Sequence, residues 1–124
     1  ATFLDIWLAL NEDNQNKKIG VVRDYDNSDA AKKRHDAYDT AHANVTVRTT
    51  KHYTLEIDLV EAEDNLALLN GLFEMDGDLD AVSDHMINGK TARMLDVCDA
   101  MVDEENPLDI KLPAHIAEVI EALS

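Results

Sequence analysis

Apolar residues crowd the first ten positions, where Phe3, Leu4, Ile6, Trp7, Leu8 and Leu10 run into a polar stretch from Asn11 to Asn16. That pattern predicts a helix feeding a turn, and with no capping residue ahead of it the chain reads as if it begins inside a larger structure. Ile19 to Val22 is a short continuous apolar run of the kind shown by a strand buried on both faces. Asp29 to Ala43, rich in Ala, Lys and His, predicts a helix, and Val45 to Val47 a second strand. Strand, helix, strand implies a right-handed crossover and a parallel sheet, hence an α/β fold.

Beyond Lys51 the pattern changes. Tyr53 to Leu59 opens as a strand, with Leu55, Ile57 and Leu59 on one face and Glu56 and Asp58 on the other, and turns helical near Val60. Leu66, Leu68, Leu69, Leu72 and Phe73 recur at helical spacing. The segment "DLDAVSDHMINGKTARMLDVCDAMVDEE" predicts one long helix, or two divided near Asn88-Gly89, stopped by Pro107. Leu112-Pro113 then opens a final helix whose buried stripe is Ile116, Val119, Ile120 and Leu123.

Length and charge refine this outline. A chain of 124 residues suits a single domain, with a strand-helix-strand part over 1–53 and an acidic, mostly helical part over 54–124. The net charge of −15 argues against unaided binding of nucleic acid, which relies on Lys and Arg. The imbalance is local: residues 1–53 carry eight acids and eight Lys/Arg, whereas residues 54–124 carry eighteen acids against Lys90, Arg93 and Lys111. Cys98 is the single cysteine, so no internal disulfide forms. No apolar run approaches the roughly 18 residues of a membrane span, and the expected setting is a reducing cytoplasm.

The candidate chemistry begins with Asp24 and Asp26. In extended backbone residues i and i+2 point to one side, so the two carboxylates, about 6.5 to 7 Å apart along the strand, can converge on one cation. They follow an apolar strand, where open α/β sheets place their ligands, and hard oxygen donors suit a divalent cation. Spacing alone is uninformative, because about five acid-x-acid pairs are expected by chance at this composition and seven occur. The run starting at Asp76 imitates a calcium loop but has Ala81 where glycine is needed and Ile87 where a bidentate glutamate is needed, so its acids read as a turn and helix start. His35, His42, His52, His85 and His115 form no i,i+4 pair, and with one cysteine they make no zinc motif. Lys32, Lys33 and Arg34 read as a solvated helix face. Lys90, one of three bases in the acidic part, is a candidate for neutralising charge on a phosphate.

Taken in order, "IGVVRDYDNSD", "YTLEIDL", "NGKTARML" and "LPAHIAEVIEAL" resemble the C-terminal part of the Toprim domain in the overcoming-lysogenization-defect (OLD) family of nucleases, over about Ile19 to Leu123. The resemblance implies a Toprim-like (Rossmann-like) partial parallel sheet flanked by helices, with a helical C-terminal half. It further implies metal-dependent endonuclease cleavage of DNA by a domain fused to an ABC-type ATPase, with Mg²⁺ or Mn²⁺ as cofactor. Asp24 and Asp26 match the Asp-x-Asp metal ligands, Glu56 with Thr54 beside it matches the segment completing the second metal site, and Lys90 matches the lysine facing the scissile phosphate. A Toprim domain also begins with a strand ending in a metal-binding glutamate. Nothing ahead of Ile19 supplies it, so the expectation is a truncated unit, weak or inactive alone, with a homodimer left open and no membrane partner. Two rivals stand beside this reading. "DYDNS" after a strand is also similar to haloacid-dehalogenase phosphatases, and the acidic charge suits a DNA mimic that occupies basic protein grooves without catalysis.

Overall fold

The computed structural model describes residues 2–11 and 17–124. Its described elements are six helices and one two-stranded parallel sheet, an α/β arrangement that is mostly helical. They form two compact units, residues 1–53 together with 114–124, and residues 54–113. No helix among the described residues is long and apolar enough to cross a membrane.

In the first unit, the N-terminal apolar run is helix α1 (Thr2–Leu10), followed by β1 (Ile19–Arg23), α2 (Asp29–Ala41) and β2 (Val45–Thr49). The strands pair in parallel with Ile19 opposite Val45 and Arg23 opposite Thr49. Side chains alternate across a strand, and helices cover both faces. Val45 and Val47 are buried with Leu4 of α1, and Trp7, Leu8, Ile19, Val21 and Tyr38 pack around them. On the other face lies α6 (Ala114–Leu123), which packs against both strands. Gly20 is the point of closest approach: a Cβ there would lie 2.3 Å from Val119 Cγ1.

Polar contacts fix these layers. The Tyr38 hydroxyl donates to Asp5 at 2.6 Å, tying α2 to α1. Arg48 of β2 donates to Asp39 of α2 at 2.8 Å and to Glu118 of α6 at 2.6 Å, and Asp39 also accepts from the Val47 N–H. Of the stripe expected on α6, Val119 is buried and Ile116 half-buried, but Ile120 and Leu123 are 52% and 45% exposed. Two strands are too narrow a platform for a helix face that wide.

The second unit is helical: α3 (Leu55–Glu61), α4 (Asn65–Phe73) and α5 (Leu79–Met101), then an irregular segment up to Pro113. Leu59, Val60, Leu69, Val82, Met86, Val97 and Ile110 form its core. The strand expected at "TLEIDL" is therefore corrected to a helix. Six alternating residues do not separate the two periodicities, and Glu56 and Asp58 fall in the first helical turn, where acids complement the positive end of the macrodipole. Helical geometry also turns Asp58 inward, so it is buried rather than sharing a solvent face with Glu56. The acids after Asp76 do serve a helix start, since Asp78 caps α5 by accepting from the Ala81 N–H at 2.9 Å.

The long segment is one helix with a break at Lys90, whose φ of 36° and ψ of −114° lie outside helical space. A non-glycine residue held there stores about 1–3 kcal/mol of strain. Lys90→Gly should therefore raise the unfolding free energy by about 1 kcal/mol, because the glycine's own entropic cost offsets part of the relief. Lys90→Ala should not. Equal stability of the two variants in denaturant titrations would refute the strained backbone.

Candidate functional site

β1 ends at Arg23, so Asp24 already lies past the strand and Asp26 lies in a turn. The Ser28 N–H donates to the Tyr25 carbonyl at 3.1 Å, and the residues between, Asp26 and Asn27, have φ of 52° and 54°. Two consecutive left-handed residues make this the kind of turn that favours Asn and Asp. The extended geometry that would aim both carboxylates to one side thus stops short of the pair. Local turn chemistry in "DNS" overrides continuation of the strand.

The loop is held from the neighbouring strand end. Thr50 is 4% exposed; its hydroxyl accepts from the Tyr25 N–H at 2.9 Å and donates to the His52 carbonyl at 2.7 Å. Its own N–H donates to Arg23 O at 2.9 Å, and the Asp26 N–H donates to Tyr53 O at 3.2 Å. The loops that follow the two strands are therefore stitched to each other. Ser28 then caps α2 by accepting from the Ala31 N–H at 3.2 Å. The Tyr25 hydroxyl donates to Asp29 at 2.6 Å, and this hydrogen bond raises the tyrosine pKa above its ordinary 10.0. With its pKa raised, the contact is fully present below the ordinary tyrosine range and is lost only as pH climbs through the raised value.

Asp24 and Asp26 are both exposed. They stand at the carboxyl end of a parallel strand on a loop pinned by backbone and hydroxyl contacts. Their hard oxygen donors suit Mg²⁺ or Mn²⁺, and Mg²⁺ is commonly held by one or two carboxylates with water and substrate phosphate completing its shell. Among the described residues no group of three or more His, Cys, Asp or Glu is arranged to hold a metal ion.

The other expected residues belong to the second unit. Glu56 sits half-buried in the first turn of α3. Thr54 is the N-cap residue of α3 by position, yet its side chain makes no cap hydrogen bond, and its hydroxyl is buried with no partner among the described residues. Lys90 is exposed at the break in α5. The residue that sequence reasoning missed is Thr50. It follows the second strand directly and is a polar side chain in a β-rich run, which gave no periodic signal that it would bridge two loops.

No family model, curated protein or solved structure matches the chain.

Proposed function

We propose that this chain is a Toprim-like module of metal-dependent phosphodiester hydrolysis in DNA, of the kind found in OLD-family nucleases. The observation that supports the reading best is the Asp24–Ser28 loop: two exposed carboxylates at the carboxyl end of a parallel strand, on a backbone pinned by Thr50. Asp24 and Asp26 would hold the ion. A bound divalent ion supplies Lewis-acid polarisation of a phosphoryl oxygen and an activated water. The parts played by Glu56, as a further acidic ligand, and Lys90, as the cation facing the phosphate, rest on the resemblance. DNA is the substrate this reading assigns, and an ABC-type ATPase domain its working partner.

Titration of ¹⁵N-labelled protein with Mn²⁺ tests the metal step. Amide signals of residues 22–29 should broaden first, ahead of those around the equally acidic segment 103–105. Asp24→Ala combined with Asp26→Ala should abolish that order. Uniform broadening over both acidic segments, or none at millimolar metal, would overturn the assignment.

A further inference from the structure

Unit two carries a surface feature that this reading leaves unused. Two shallow cavities of about 350 and 360 Å³ share Leu72 and Ala100, so they form one groove along α4 and the C-terminal end of α5. Leu68, Leu72, Phe73 and Leu108 give it an apolar floor. Gly71 lies in its wall, and a Cβ built there meets nothing within 4 Å. A glycine inside a helix weakens that helix, and no contact within the described residues uses the missing side chain. The surface beside Gly71 is therefore open.

The rim of the groove is acidic. Asp96, Asp99 and Asp103 are all exposed on one edge. They cluster at the end of α5 where the macrodipole is already negative, and the last turn holds no basic residue. Arg93 approaches Asp96 only to 3.8 Å, and Asp103 accepts from the Glu105 and Asn106 N–H groups. Such an arrangement gives this edge of the groove a negative potential.

We propose that this groove docks a basic amphipathic helix of a partner protein, its apolar face over Leu72 beside Gly71 and its lysines or arginines against Asp96, Asp99 and Asp103. Helix-in-groove recognition uses anchors at i, i+3, i+4 and i+7, and the acidic rim selects a cationic flank.

The probe is a fluorescein-labelled helical peptide with leucines at those anchor positions and lysines beside them, read by anisotropy. Its control has the same charge with every leucine changed to glutamine. The chain should bind the leucine peptide at least about tenfold more tightly than the glutamine peptide. Gly71→Leu should erase that margin while its thermal unfolding stays at or above that of the parent. Asp96→Asn with Asp99→Asn should weaken binding and flatten its salt dependence, whereas Asp76→Asn with Asp84→Asn should not. Equal binding of the two peptides, or undiminished binding to Gly71→Leu, overturns the proposal. Self-association in sedimentation that Gly71→Leu abolishes would give the groove to a second copy of the chain and overturn it too.

Discussion

Asn65→Ala should lower the unfolding free energy by about 3–5 kcal/mol, the largest loss expected from any single truncation here. Asn65 is fully buried. Its amide nitrogen donates to Leu59 O and Lys111 O, both at 2.7 Å, and its side-chain oxygen accepts from the Lys111 N–H at 2.8 Å. One side chain thus joins the end of α3 to the irregular segment after α5 and satisfies three backbone groups. Alanine removes the partner of the buried Leu59 carbonyl and of the part-buried Lys111 N–H and carbonyl, and opens a cavity as well. Asn65→Asp isolates the donor part: it retains an acceptor for the Lys111 N–H but sets a carboxylate against two carbonyls. It should be at least as damaging near neutral pH and recover as the pH falls and the carboxyl gains a proton. Chemical denaturation followed by circular dichroism measures both. A loss below about 1 kcal/mol for Asn65→Ala would mean that water replaces these contacts easily, and the bridge would not be structural.

The second large effect is expected from the smallest change, Gly20→Ala. In an unobstructed strand this substitution stabilises by about 0.5–1 kcal/mol. Here the new methyl would stand 2.3 Å from Val119 Cγ1 and 3.2 Å from Leu123 Cδ1. Leu123 can swing aside because it is 45% exposed, but Val119 is buried and branched at Cβ, so it has little rotameric escape. Helix α6 must shift off the sheet, at a cost of about 1–3 kcal/mol. Combining Gly20→Ala with Val119→Ala should recover part of that loss, because each substitution makes room for the other. Simple additivity of the two, or a stabilising Gly20→Ala, would show that α6 does not lie against β1 in this way.

The candidate site was legible in part. An apolar run ending in "RDYDNS" placed Asp24 and Asp26 at the carboxyl end of a strand, and that position is where they are found. Their mutual geometry was not legible, because left-handed backbone at Asp26 and Asn27 is a local conformation that strand periodicity does not encode. "TLEIDL" misled for a related reason. A six-residue alternation fits a strand face and also the opening of a helix, and the partner that would have made it a strand is another chain segment, not a property of those six residues. Thr50 was silent in the sequence because its hydroxyl acts on Tyr25 and His52, which come together only when the two strand ends lie side by side.

The sequence by itself determined the local elements: the apolar runs that became β1 and β2, the parallel pairing forced by the helix between them, and the helical spacing of α4, α5 and α6. These follow from periodicity and propensity within a dozen residues. The place of the break in α5 was also close to the surface of the sequence, at the glycine beside Lys90. The tertiary structure alone decided that the last helix, separated by sixty residues from Tyr53, belongs to the first unit while residues 54–113 close a core of their own. It alone decided that Gly20 must remain without a side chain, that Asn65 should be buried, and that Asp58 should face inward. The physical reason is the same in each case. A residue's own chemistry sets the conformations and partners it can accept, but burial is decided by which distant surface arrives, and that surface is written elsewhere in the chain.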